Sequence, residues 1–205
     1  MQNYKIGISN AAARGIVEWT KSENSLRNLL DGGLNELFRD VFGDDPYNEV
    51  FSKDEVDQIF RNYLQNNADI LSIREDLNGR PIAFMVGMPL SNEFKKACGL
   101  PDFLFTQKTA YIAEDGVDKN WRRRGLSCVM KCKMLSKAKS DGCNFALLRT
   151  RADNTPQISA VFKAGGSVID GAQQMVSRNT RVGVIQEDNR FFLFDLRRQF
   201  GSYII

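Results

Sequence analysis

VDKNWRRRGLS, residues 117–127, runs three arginines straight into a glycine at what reads as the start of a helix. Behind the glycine, Leu126, Val129, Met130, Met134 and Ala138 share one helical face, so a helix is predicted to begin near Arg123 or Arg124. In front of it, TAYIAEDGV (109–117) reads as a strand. The arginine run has four readings: a nucleic-acid patch, a nuclear-localisation-like run, a solvated charge cluster, or a cradle for phosphates. A helix N-terminus offers free backbone N–H groups and the positive end of the macrodipole. Arginines there oppose the dipole, so the cluster makes most sense if an anion sits against it. Gly125 lets an anion approach the backbone, Ser127 is small, and the arginines add charge-assisted bonds to phosphate. A nucleic-acid surface would want aromatics on an exposed sheet face, and here most aromatics fall in core positions. The residues favour a phosphate-bearing small ligand.

The wider composition narrows the field. At 205 residues, with 42% hydrophobic and 26% charged residues, the chain reads as one soluble globular domain. No apolar run is long enough to cross a bilayer, and the start MQNYKIGISNAAARG lacks the pattern of a secretory signal. A cytoplasmic protein without membrane association is therefore expected. The net charge of +3 is mild for a nucleic-acid-binding domain, and no nucleic-acid partner is expected. Cys98, Cys128, Cys132 and Cys143 read as reduced packing or surface thiols, because Cys128 and Cys132 lie four apart on a predicted helix with no second pair nearby. The chain contains no histidine, which excludes His-based triads, His-ligated metals and imidazole bases; no metal is expected.

Along the chain the N-terminal third reads as helical. SENSLRNLLDGGLNELFRDVF (22–42) carries leucines at helical spacing with a break at Gly32–Gly33, GDDPYNEVF (43–51) is a turn, and SKDEVDQIFRNYLQNN (52–67) opens on a capping box, Ser52 with Glu55. The period then changes. DILSIRED and PIAFMVGMPL flank Asn78–Gly79 as a β-hairpin, and the stretch from Ser91 to Lys108 is irregular. CNFALLRTR (143–151) is a buried strand, DNTPQISAVFKAGG (153–166) a helix closed by glycines, and SVIDGAQQMVSR and RFFLFDLRR are two final strands.

These segments in this order resemble the GNAT superfamily of N-acetyltransferases. VDKNWRRRGLS is similar to that family's acyl-CoA signature, Arg/Gln-x-x-Gly-x-Gly/Ala after the fourth strand. Arg122 takes the first position, Arg123 and Arg124 the free ones, Gly125 the glycine and Ser127 the last small position. The family's usual glycine at 123 is missing, and Ser127 stands for Gly or Ala. LLRTRADNTPQISAVFKAGG (147–166) resembles the family's later segment, with Asn154 opening the helix. The resemblance implies an α/β fold: a mixed, mostly antiparallel central sheet flanked by helices, its fourth and fifth strands splayed for acyl-CoA. It implies a single acyltransferase domain over 1–205, with N-terminal helices at about 22–66, the hairpin and acyl-CoA core at about 69–166, and C-terminal strands at about 167–197.

The resemblance also implies a chemistry: transfer of acetyl from acetyl-CoA to an amine by direct attack in a ternary complex. Val117 would bond pantetheine through its backbone. The amides of Arg122, Arg123, Arg124, Gly125, Leu126 and Ser127 would hold the pyrophosphate, with Lys131 a further cation for the 3′-phosphate. Asn154 would bond pantetheine, cap its helix, or both. Glu114 is the candidate general base, directly or through water, and an ordinary strand carboxylate otherwise. Strict alternation puts Tyr111, Ala113 and Asp115 on one face and Ile112 and Glu114 on the other; a bulge would change that phase and bring in Asp115 as second candidate. Phe162 matches the position of the family's tyrosine acid beside the acyl-CoA, and phenylalanine has no proton to give; Tyr111, Ser159 or water would serve instead, or the chain would be a non-catalytic acyl-CoA-binding or interaction module. A nucleic-acid-binding domain is the third reading. The acceptor, a small-molecule or protein amine, is not encoded in any visible motif. The segment from Ser91 to Lys108 would line its site or plug the core. Pairing of the last two strands in similar proteins allows a homodimer.

Overall fold

A computed structural model describes residues 4–7, 14–45, 47–76, 79–181 and 183–198. Its eight strands form one sheet, β1 (Tyr4–Gly7), β2 (Arg14–Thr20), β3 (Asp69–Arg74), β4 (Pro81–Pro89), β5 (Thr109–Val117), β6 (Phe145–Arg151), β7 (Ser167–Thr180) and β8 (Gly183–Asp195). They lie in the order β1-β2-β3-β4-β5-β6-β8-β7. Only β5 and β6 run parallel; every other neighbouring pair is antiparallel. The crossover between the parallel strands is a helix, as parallel pairing requires. The mixed sheet anticipated from the sequence is therefore present. Two strands were not: β1 and β2 lie in an N-terminal third that reads as helical, and β2 pairs with β3 from Ile16–Arg74 to Thr20–Ile70.

Helices cover both faces. On one face lie α5 (Leu126–Ser140) and α6 (Thr155–Lys163). They pack Leu126, Met130, Met134 and Val161 against Ile73, Met85, Ile112 and Leu148. On the other, α1 (Glu23–Leu29), a π-helical turn (Leu30–Leu34) with Gly33 at φ 108°, α2 (Asn35–Gly43) and α3 (Lys53–Gln65) close over Ile70, Phe84 and Val86. The kink thus falls at the expected glycines. Strand β4 is buried along nearly its whole length, which is why PIAFMVGMP is a continuous apolar run and not an alternation. The β3–β4 pairing forms the expected hairpin, although Asn78 of its turn lies outside the described residues.

The caps are those the sequence dictates. Ser52 Oγ accepts the Glu55 N–H at 3.2 Å, and Glu55 returns a carboxylate to the Ser52 N–H at 2.7 Å. That backbone bond holds the Glu55 carboxyl below its usual range. Helix α5 starts at Leu126, two residues later than expected. The stretch from Ser91 to Lys108 contains a short helix, α4 (Asn92–Ala97), and is a core plug: Cys98, Leu100 and Leu104 pack on Tyr111, Phe145, Leu147 and Phe191. Lys95 threads its ammonium inward to the Leu104 carbonyl at 2.6 Å.

At Gly116, α2 and the Phe84 ring of β4 close tightly on β5. A Cβ there would lie 2.5 Å from Phe84 and 2.9 Å from Val41. Gly116→Ala is expected to overpack this contact and cost about 1–3 kcal/mol, read as a lowered denaturant midpoint with an unchanged slope.

Candidate active site at the split between two strands

β5 and β6 pair only from Thr109–Phe145 to Ile112–Leu148. Beyond that point they part, and both edges of the gap are open. The cause lies on the far side of β5. Val86 of β4 pairs with Glu114 but Gly87 pairs with Ile112, so Ala113 is an extra residue, a β-bulge. The bulge shifts the phase. Glu114 joins Tyr111 and Ala113 on the α1–α3 face, where the Tyr63 hydroxyl of α3 donates to its carboxylate at 3.0 Å. Asp115 joins Ile112 on the α5 face, where it meets Lys131. Simple alternation, which groups Asp115 with Tyr111, does not hold.

The bulge also aims the backbone. Asp118 donates its N–H to the Ile82 carbonyl at 2.9 Å, so alternate residues Gly116 and Glu114 face β4. The main-chain groups of Asp115 and Val117 therefore face the gap. The Val117 carbonyl accepts the Arg122 Nε at 3.2 Å.

The arginine run then turns sharply. Arg123 has φ 63° and Gly125 φ 81°, both left-handed, and a Cβ on Gly125 would meet nothing within 4 Å. Glycine is there for its conformation, not for want of space. Helix α5 has no side-chain cap, whereas α1, α3, α4 and α6 are capped by Ser22, Ser52, Ser91 and Asn154. Its first N–H groups are left open, and the arginines surround them. Arg124 lies 4.5 Å from the Trp121 ring centroid and donates to the Asn120 carbonyl; Arg122 reaches to 3.8 Å from Asp44; Arg123 is exposed. These residues fit a bound diphosphate: open amides, the positive helix end, a left-handed glycine and exposed cations.

Ser127 turns inward instead. Its hydroxyl donates to Asp115 at 3.2 Å and accepts from Lys131 at 2.7 Å. Lys131, wholly buried, also donates to Asp115 at 2.7 Å and to Gln157 at 3.2 Å, while the Gln157 amide donates to the other Asp115 oxygen at 2.5 Å. Lys131 is therefore a buried partner of Asp115 rather than a cation facing phosphate, and both oxygens of Asp115 are engaged.

Glu114 has a different setting. Burial pushes its carboxyl from the usual 4.5 up to about 7, against the opposing pull of Arg178, the Tyr63 hydrogen bond and Arg149. Burial and the neighbouring Glu114 charge in turn raise the Tyr63 hydroxyl. Asn154 caps α6 through its carbonyl oxygen, which accepts the Gln157 N–H at 3.2 Å, and its amide donates to the Tyr47 hydroxyl at 2.7 Å. Tyr47 lines the gap with Glu114 and Asp115, and burial followed by those two charges raises its hydroxyl. Phe162 is 51% exposed and sits edge-on to Phe192, while its neighbour Val161 is the buried residue of α6. Position 162 is thus not among the residues lining the gap. Tyr111 is packed against Phe94 and Ser159 is exposed.

The structure adds side chains that sequence reasoning passed over: Tyr47 and Glu49 in a stretch read only as a turn, Tyr63 counted with the apolar face of α3, and Arg149, Arg178 and Glu187. Arg149 and Arg151 had a signal, since charges in the otherwise apolar strand FALLRTR need a reason. Among the described residues, no cluster of Cys, Asp or Glu could hold a metal ion.

The fold, with its parallel pair splayed at a β-bulge, has known relatives. The sequence model of the Acetyltransferase (GNAT) family matches residues 34–165, and the chain belongs to that family. Solved structures agree in fold. A protein from Acinetobacter baylyi ADP1, assigned as an acetyltransferase, superposes with a TM-score of 0.64 at 15% identity, covering 90% of this chain and 96% of its own. The ribosomal-protein-S18-alanine N-acetyltransferase of Escherichia coli gives 0.57 at 14% identity, over 92% and 99%. A chain of the NatC complex bound to Gag peptide and CoA gives 0.58 at 12%, over 87% and 98%. No curated protein matches by sequence.

Breaking the buried pair tests the division of labour between the two carboxylates. Lys131→Met, which strands Asp115 without its cation, is expected to cost about 3–5 kcal/mol in denaturant unfolding. Replacing both, Lys131→Met with Asp115→Leu, is expected to recover part of that loss.

Proposed function

We propose that this protein transfers an acyl group, acetyl in the first instance, from acetyl-CoA to an amine by direct attack in a ternary complex. The observation that carries the proposal is the position of Glu114: a carboxylate at the split, held by Tyr63, with its carboxyl lifted to about 7. Such a group is poised to take a proton near neutral pH. Acetyl-CoA, when bound, supplies an activated acyl group as a thioester. The open amides of Leu126 and Ser127, with Arg122, Arg123 and Arg124, would hold its pyrophosphate, and the Val117 backbone edge, once Arg122 releases its carbonyl, would meet its pantetheine. Glu114 deprotonates the incoming ammonium on the α1–α3 side. As the amine attacks the thioester carbonyl and the C–S bond breaks, Tyr47, packed on Phe42 of α2 and bonded to Asn154 at the start of α6, gives its proton to the leaving CoA thiolate. Because the Asn154 amide donates to its oxygen, the tyrosine's own proton is free to be given away. This assigns to Tyr47 the role that Phe162 cannot fill.

The pH profile follows from the sign of the shift. Glu114 works only when ionised, so kcat/KM is expected to fall as pH drops below about 7. Glu114→Gln is expected to remove that limb and to lower kcat by roughly 10²–10⁴-fold with acetyl-CoA affinity retained. An unchanged acid limb in the variant would reassign the base. In calorimetric titration, Arg124→Glu is expected to weaken acetyl-CoA by ~10-fold or more, as loss of a charge-assisted bond implies; unaltered affinity would move the phosphate site elsewhere.

A further inference from the structure

The α1–α3 side of the split, where the acceptor must enter if the acyl-transfer reading is right, holds more charge than proton transfer requires. Most of it is mutually satisfied. Arg178 places Nη1 2.8 Å from buried Glu49 and Nε 2.8 Å from buried Glu187. Arg151 reaches Glu187 at 3.0 Å and Asp153 at 2.7 Å. Arg149 differs. It lies on the same face of β6 as Arg151, two residues back, and lines the gap with Glu114. Among the described residues its side chain makes one hydrogen bond, to an uncharged partner, the Gln174 carbonyl oxygen at 2.5 Å, and no carboxylate of them lies within ion-pair reach of it. Yet it is close enough for its charge to lower the Glu114 pKa. A half-buried guanidinium with most of its donor fork unused is matched to an anion, and its planar fork suits a carboxylate.

We propose that Arg149 anchors a carboxylate of the acceptor, and that the acceptor is a small amine bearing its own carboxylate, of the amino-acid class. Glu114 and Arg149 form a separated base and cation, complementary to the ammonium and carboxylate ends of a zwitterion. The walls of the site argue for small size. The end of the β7–β8 hairpin is latched to the segment between α2 and α3 by the Glu49–Thr180 bridge, by the Arg181 N–H donating to the Asn48 carbonyl at 2.9 Å, and by Arg178 on Glu49. These contacts close over that side of the site and leave little length for an extended polypeptide. A peptide whose first residue is not acidic, or a lysine side chain in a protein, also carries no carboxylate near its amine, so neither satisfies Arg149.

The test compares kcat/KM for L-amino acids with that for the amines lacking only the carboxylate, in wild type, Arg149→Gln and Arg149→Lys, beside a calorimetric titration of each protein with acetyl-CoA. The expected result is a ~10²-fold preference for the carboxylated member, the size that a satisfied polar anchor gives. That ratio should fall towards one in Arg149→Gln, chiefly through KM, and be partly restored in Arg149→Lys. Equal turnover of both members, preference for a peptide amine, or a ratio untouched by Arg149→Gln would overturn the inference while leaving acyl transfer standing. Failure of wild type to bind acetyl-CoA would remove the reading beneath it, and the inference with it.

Discussion

One extra residue in one strand organises this protein. Ala113 has no partner on β4, and from that slip follow the parting of β5 from β6, the opposite directions of Glu114 and Asp115, and the exposure of the Val117 backbone edge. Without the bulge, β5 would stay in phase, and Glu114 would face α5 instead of Tyr63. The bulge is held from both sides. A Cβ on Gly87 would lie 2.4 Å from the Met134 sulfur, so α5 packs directly on the β4 backbone at the slip. Gly116, three residues past Ala113, lets α2 and Phe84 close on the other face. Packing on both faces fixes a local irregularity that main-chain hydrogen bonding alone would iron out.

The two carboxylates released by that slip meet opposite environments. Asp115 is surrounded by donors, a buried ammonium, a hydroxyl and an amide, and acts as the keystone between β5, α5 and α6. Glu114 has one hydroxyl donor and much burial. Its raised pKa carries a stability consequence with a definite sign. The native state binds the Glu114 proton more tightly than the unfolded chain does. Its contribution is therefore fully present below 4.5 and is lost as pH rises to about 7. Ionised Glu114 is thus a destabilised group near neutral pH, a kind of shift that clusters at functional sites.

Much of this was legible in the sequence. The run RRRGLS, bounded by a strand and an apolar helical face, located the uncapped helix, because the two hydrophobic periods meet there. The capping box, the glycine kink, the hairpin and the last two strands are local signals and were readable as such. What could not be read depends on contacts distant in the chain. The phase of β5 is set by Gly87 and Met134, which the local alternation of TAYIAEDGV does not report. In α6, Ile158, Val161 and Phe162 are all apolar at helical spacing, and only the packed sheet decides that Val161 turns inward. β2 was hidden because RGIVEWT is short and mixed, and pairs with a strand fifty or more residues away. Tyr47 and Glu49 looked like turn residues; they become part of the site when the β7–β8 hairpin is brought against them.

The account stands on Glu114 being a buried, proton-binding carboxylate at the strand split. The most direct test is a carboxyl-carbon NMR titration of the folded protein, with the Glu114 signal assigned by its loss in Glu114→Gln. A midpoint near 7 is the result this structure predicts. A midpoint near 4.5, the ordinary value, would place Glu114 in solvent and contradict the phase that the bulge imposes on β5.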